Sequence, residues 1–161
     1  MDAVDWLLDS DPAIRWQAMR DLTEASPTLI AAERARVATE GLGADILARQ
    51  GENGAWNRAD APDWLSTLFT LQLLRASGID RADPRVVSAV ARLQAGFRWH
   101  EAFGKKPFFG GEVEPCINGG ALALGAYFGH PAEELMRRLL GEQLTDGGWR
   151  SEERRVGKEC W

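Results

Sequence analysis

The stretch Gln50-Gly51-Glu52-Asn53-Gly54-Ala55-Trp56 decides the fold of this chain, because it recurs further along the sequence. The second full copy reads Gln143-Leu144-Thr145-Asp146-Gly147-Gly148-Trp149. A degenerate copy, Gln94-Ala95-Gly96-Phe97-Arg98-Trp99, lies between them, and successive glutamines are 44 and 49 residues apart. A period of this size indicates a repeated helical hairpin rather than one irregular globule.

Two kinds of predicted helix alternate around these turns. The segments that precede the turns are amphipathic, and we expect them to form outer helices through Ala31–Gln50, from Asp83 and from His130. The segments that follow, Asp63–Ala76 and Cys116–Phe128, are apolar in nearly every direction, which predicts inner helices buried on all sides. The alternation predicts an all-α fold, a double-walled α/α barrel or toroid, with a two-layer α-solenoid as the alternative.

Composition limits the classes of partner. The 161-residue chain is 45% apolar and 27% charged, with a net charge of −5, and this mild acidity argues against nucleic acid. No apolar run is long enough to span a bilayer, and the acidic start Met1–Asp5 does not fit a signal peptide. Because Cys116 and Cys160 make no disulfide framework, we expect a cytoplasmic protein without a transmembrane segment.

We divide the chain into three segments. Residues 1–29 are predicted to form an N-terminal helical cap of two short helices, the second of them starting at Asp11-Pro12. Residues 30–149 hold the partial toroid repeats. Residues 150–161 resemble the in-frame translation of a widely used DNA-sequencing adapter, from which only Trp161 departs, and a natural charged tail is the alternative. On the adapter interpretation, the natural protein continues past Trp149.

The repeated turns resemble the QW repeats of triterpene cyclases of the squalene cyclase type. Those enzymes share an α/α-toroid with protein prenyltransferase β subunits, and the resemblance covers residues 30–149. It implies an isoprenoid or other apolar ligand in a central cavity. It also implies a structural role, tying a helix end to the next repeat, for Gln50, Trp56, Gln94, Trp99, Gln143 and Trp149.

The resemblance does not extend to the catalytic motifs of these families. The sequence contains neither the Asp-x-Asp-Asp acid of the cyclases nor an Asp-rich Mg²⁺ motif. Whether the full-length protein is a cyclase-like or prenyltransferase-like enzyme is therefore open, and we expect this fragment itself to be inactive. The alternative from another class is a non-catalytic helical-repeat scaffold that binds protein or lipid.

Glu112, Glu114 and Cys116 are the candidate site residues, because they open the second inner helix. Glu112 and Glu114 could serve as catalytic acid and base if burial raised the pKa of one carboxyl, and two solvated loop acids are the alternative. Prenyltransferase β subunits bind zinc through an Asp, a Cys two residues later and a His. By that resemblance, Glu114 and Cys116 are candidate zinc ligands, with the His supplied from elsewhere. The alternatives are a buried core thiol at Cys116 and a helix-terminal acid at Glu114.

Overall fold

The structure is a computed structural model that describes residues 2–57, 63–99, 104–112 and 114–150. This part of the chain is all-helical, which confirms the predicted class. None of its helices is long and apolar enough to cross a membrane. It contains α1 (Ala3–Leu8), α2 (Pro12–Leu22), α3 (Pro27–Ala35), α4 (Gly41–Ala48), α5 (Asp63–Ser77), α6 (Pro84–Gly96), α7 (Pro115–Phe128) and α8 (Glu133–Gly141), with 3-10 turns at Arg36–Ala38 and Phe108–Gly110.

The chain divides into two compact units, Met1–Ala89 and Val90–Trp161, with the boundary inside α6. Each unit has its own buried apolar residues. Those of the first unit include Trp16, Val37, Leu47, Trp56, Leu68, Leu71, Leu74 and Ile79. Those of the second include Val90, Trp99, Phe108, Ala121, Leu124, Phe128, Leu135 and Leu139.

The first two helices lie within the predicted N-terminal segment 1–29, and α2 starts where the sequence predicts. Asp11 is the N-cap of α2, and its carboxylate accepts a hydrogen bond from the Ala13 backbone N–H at 2.8 Å. Pro12 follows at the first helical position, where a missing N–H costs nothing because that donor has no partner within the helix. A buried Trp16 then anchors α2, since its indole N–H donates to the Ser77 carbonyl at 2.8 Å.

The single helix expected through Ala31–Gln50 is wrong, because α3 ends at Ala35 and α4 begins only at Gly41. Gly41 has φ +63°, and a Cβ at this position would collide with the Asp11 carboxylate. That carboxylate accepts from the Leu42 backbone N–H at 2.7 Å, so Asp11 also holds the start of α4. The left-handed glycine and the distant cap together break the helix.

The expectation that inner helices are buried on all sides is also wrong for α5. Leu68, Leu71 and Leu74 are buried, but Phe69 is 59% exposed and Leu73 is 46% exposed. Phe69 and Leu73 are four residues apart and therefore lie on one face of the helix. The sequence of a helix shows which of its faces are apolar. Whether each apolar face is buried depends on the helices and loops that pack against it.

Candidate functional site

The first Gln–Trp turn closes the C-terminal end of α4. The Gln50 side-chain amide donates to the Gly54 carbonyl at 3.0 Å, four residues later. The Trp56 indole N–H donates to the Ile46 carbonyl at 2.7 Å, ten residues earlier. Gly54 has φ +75°, a conformation that glycine adopts without strain. The turn thereby adds a second hydrogen bond to a carbonyl in the last turn of α4, which also accepts from the Arg49 backbone N–H.

The third turn has the same arrangement at the end of α8. The Gln143 amide donates to the Gly147 carbonyl at 2.8 Å, and the Trp149 indole donates to the Leu139 carbonyl at 2.7 Å. Gly147 has φ +85°. Sequence spacing, donor atoms and acceptor atoms thus match between the two turns, and both glutamines and both tryptophans are in structural positions.

Sequence reasoning missed a further element of the turn, at the third residue after each glutamine. Asn53 accepts from the Ala55 backbone N–H at 3.0 Å, and Asp146 accepts from the Gly148 backbone N–H at 2.9 Å. Both side chains hold the backbone two residues ahead, as Asn and Asp do in tight turns. The sequence does contain this feature, because an Asn or Asp occupies the same position in both turns. It was missed because the turns were aligned on Gln, Gly and Trp alone.

The second, degenerate turn is built differently. The Gln94 side chain is exposed, and the Trp99 indole donates to the Phe108 carbonyl at 3.0 Å instead of to a carbonyl of α6. Trp99 stacks on Phe108 with ring centroids 5.5 Å apart, and Phe97 meets Trp99 edge to face at 4.7 Å. This tryptophan therefore belongs to an aromatic cluster, with Phe108 fully buried at its centre.

Glu112 is held in place just before α7. It is only 4% exposed, and its backbone N–H and carbonyl are both bonded to the buried Asn118 side chain, each at 2.8 Å. The Glu112 carboxylate accepts from the Glu114 backbone N–H at 2.9 Å. Gly111, with φ +76°, packs so closely on Asn118 that a Cβ would lie 2.7 Å from the Asn118 Oδ1 atom. The solvated-acid alternative is therefore wrong for Glu112.

Glu114 and Cys116 lie together at one cleft. Glu114 is the N-cap residue of α7, and Cys116, an exposed free thiol, lies in the first turn. The buried-core alternative for Cys116 is therefore wrong. The cleft has a volume of about 350 Å³, and its walls are mainly apolar. Its lining residues are Glu114, Pro115, Cys116, Gly119, Leu139 and Trp149.

The predicted zinc ligands can be compared with what zinc needs. Glu114 and Cys116 share the cleft, but a catalytic zinc site uses three protein ligands. In the described ranges, no group of three or more His, Cys, Asp and Glu side chains is placed to hold a metal. The structure thus brings the two predicted ligands together and adds no third one from these ranges.

The chain has two histidines, His100 and His130. His130 stacks on Phe109 with ring centroids 5.7 Å apart and parallel planes, which is a packing role. His100 and all but the first residue of the segment 150–161 lie outside the described residues.

In comparisons with known proteins, no family model matches the chain, and no curated protein or solved structure matches it.

Proposed function

We propose that the chain is part of an α/α-toroid protein of the terpenoid cyclase and prenyltransferase type, and that it binds an isoprenoid or other apolar ligand. The matching geometry of the two Gln–Trp turns supports the repeat architecture. The observation that carries the ligand proposal is the apolar cleft at the start of α7, where the predicted site residues Glu114 and Cys116 lie.

The cleft has the properties of a small apolar binding site. Its volume of about 350 Å³ lies in the range of about 300–1,000 Å³ that is typical of small-molecule pockets. Pro115, Leu139 and the Trp149 ring offer apolar contact, while the Glu114 carboxylate and Cys116 thiol can orient a ligand's polar end. Because the Glu112 carboxylate is bonded to the Glu114 backbone, the geometry favours binding over a paired acid and base.

Gly119 provides a direct test of ligand binding. A Cβ built at Gly119 meets no atom within 4 Å, so a side chain can start there without a clash, and Gly119→Leu places one at the cleft. We expect farnesol to bind the wild-type chain in a calorimetric titration, and Gly119→Leu to weaken that binding at least about tenfold, or about 1.4 kcal/mol. Gly96→Leu is the matched control, because it introduces the same residue into open space at the end of α6.

Two results would contradict the ligand proposal. One is an absence of farnesol binding to the wild-type chain. The other is equal affinity of the wild type and Gly119→Leu, which would place farnesol elsewhere. Circular dichroism spectra of both glycine variants must match the wild type, so that a loss of binding reports the cleft rather than the fold.

The scaffold alternative is supported by a different observation. Phe69 and Leu73 are exposed on one face of α5, and exposed apolar patches often mark interaction surfaces. If farnesol does not bind, this face becomes the better candidate for function. The scaffold proposal then predicts that Phe69→Asp lowers self-association in sedimentation analysis, and unchanged sedimentation would count against it.

A further inference from the structure

The cleft at the start of α7 has one charged side chain among the described residues that line it. That residue is Glu114, the N-cap of α7, and it is half-buried. Two bases adjoin lining residues in the sequence without being lining residues themselves: Arg138, which is bonded to Glu142 at 2.8 Å, and Arg150, which is exposed. The charge that a ligand meets on the described wall is therefore negative.

The N-terminus of α7 is the feature of this site that would attract an anion, and acidic residues already oppose it. A helix N-terminus carries the equivalent of about half a positive charge. The Glu112 carboxylate accepts from the Glu114 backbone N–H at 2.9 Å, and Pro115, in the first turn of the helix, has no N–H to offer an anion. Because Glu114 adds a full negative charge at the same end, the balance favours a cation.

The rest of the described wall fits an apolar chain. Pro115 and Leu139 offer aliphatic contact, and Gly119 leaves room between them and the opening. Trp149 lines the same cleft and is 43% exposed. An aromatic ring packs against apolar carbon and also attracts an ammonium group over its face. A molecule with an apolar chain and one positive end therefore matches both parts of the wall.

We propose that the cleft takes a cationic amphiphile, an apolar chain with an ammonium head group, and that Glu114 selects the charge of the head group. The chain packs on Pro115, Leu139 and the Trp149 ring, and the ammonium group lies beside the Glu114 carboxylate. A phosphate or carboxylate head group is disfavoured, because it would bring a second negative charge close to Glu114. This ligand class rests on the proposed function, which it makes more specific.

Three probes with the same apolar chain separate the charge of the head group from apolar contact. At pH 7, farnesylamine is cationic, farnesol is neutral and farnesoic acid is anionic. In calorimetric titrations at low salt, below the concentrations at which the probes form micelles, we expect farnesylamine to bind at least about threefold tighter than farnesol. Farnesoate should bind more weakly than farnesol. The advantage of the amine should shrink as salt is added, because salt screens a partly exposed charge pair.

Substitutions of Glu114 test which group sets this preference. Glu114→Gln removes the charge and keeps nearly the same size, so the ratio of the farnesylamine affinity to the farnesol affinity should fall to about one. Glu114→Asp keeps the charge and should keep the amine preference. Glu24→Gln is the matched control, because it removes the same charge from an exposed residue of the first unit, and it should keep the wild-type ratio.

The outcomes separate the ligand class from the ligand proposal. Farnesol binding with no advantage for farnesylamine, or with tighter binding of farnesoate, would overturn the cationic class and leave the apolar ligand standing. An amine preference that survives in Glu114→Gln would show that the net charge of −5 attracts the amine, and it would overturn the role of Glu114. Binding of none of the three probes would contradict the ligand proposal itself.

The salt series on the wild-type chain does not depend on any variant. It therefore decides the question even if Glu114→Gln fails to fold, which circular dichroism would reveal. An amine advantage that stays constant as the salt concentration rises would overturn the charge pairing.

Discussion

The Gln50 side-chain amide and the Arg85 backbone carbonyl meet at 3.0 Å across 35 residues of sequence. The same amide nitrogen bonds the Gly54 carbonyl at 3.0 Å, so one side chain joins its own turn to the start of α6. In the third turn, the Gln143 amide makes the local bond to Gly147 at an exposed position. The pair of glutamines therefore allows the long-range contribution to be measured against the local one.

Replacing the two glutamines should have unequal effects on stability. Gln50→Ala removes two hydrogen bonds in a partly buried setting, and we expect it to lower the free energy of unfolding by about 1–2 kcal/mol. Gln143→Ala removes one exposed bond and should cost less than about 0.5 kcal/mol. Urea denaturation followed by circular dichroism measures both. Equal losses would show that the Arg85 contact contributes nothing.

Gly78 is expected to be intolerant of a side chain for two reasons. It has φ +91°, and a Cβ there would lie 2.6 Å from the Trp16 ring, whose position is fixed by the hydrogen bond to Ser77. Gly78→Ala should lower the free energy of unfolding by more than about 2 kcal/mol, because strain and a steric clash add.

Gly129→Ala is the control that measures the cost of backbone strain at positive φ without a steric clash. Gly129 has φ +79°, but a Cβ there meets no atom within 4 Å, so this variant should lose only about 1 kcal/mol. Thermal unfolding of both alanine variants gives the comparison. If Gly78→Ala were no worse than Gly129→Ala, close packing of Trp16 on Gly78 would be refuted.

Asp83 should make stability depend on pH in the acidic range. Its side chain is 7% exposed, and the hydrogen bond from the Arg85 guanidinium at 2.6 Å is the main cause that lowers the pKa of the Asp83 carboxyl. The ordinary pKa of an Asp carboxyl is about 4. A carboxyl whose pKa is lowered in the folded state stabilises the protein fully at pH values above that ordinary pKa. That stabilisation is lost as the pH falls through the lowered value.

The variant Asp83→Asn tests whether the Asp83 carboxylate stabilises the protein at neutral pH and ceases to do so in acid. It should be less stable than the wild type by about 1 kcal/mol at pH 7 and pH 5, and the difference should shrink as the pH falls below about 4. Asp21→Asn breaks an exposed pair with Arg20 and serves as a control that should leave stability unchanged. A wild-type advantage that grows in acid would contradict the assignment.

Cys116 allows a test of the zinc hypothesis. Within the described ranges, Glu114 and Cys116 have no third ligand, and a catalytic zinc site uses three. Unless a residue outside those ranges supplies it, we expect the purified chain and Cys116→Ser to have the same low zinc content after dialysis. Elemental analysis makes the measurement. One zinc per wild-type chain that is lost in Cys116→Ser would restore the zinc-enzyme alternative and require a third ligand outside the described residues.

The sequence predicts features that depend on local chemistry. The start of α2 follows from Asp11-Pro12, and the likeness of the two turns follows from their shared Gln, Gly and Trp. It does not predict the break between α3 and α4. That break depends on Asp11 reaching Gly41, a contact between residues 30 positions apart that no helical period encodes.

The candidate site could be predicted only where it depends on residues close together in the sequence. Glu114 and Cys116 are two residues apart at a helix start, so the sequence alone places them together. The cleft they share needs Leu139 and Trp149 from α8 and its turn, and the Asn118 clamp on Glu112 needs the fold of the loop. Packing between elements, rather than residue type, decides which carboxylate faces the cleft.

The two caps made by Asp11 also bear on how the chain folds during synthesis. The N-terminal part of a polypeptide is the first to emerge from the ribosome. The carboxylate that receives the Leu42 N–H at 2.7 Å already holds the Ala13 N–H at 2.8 Å, so its position is set by α2. The residue that caps residues 41–48 is made about thirty positions earlier, so α4 can begin to form as soon as α2 has placed the Asp11 carboxylate.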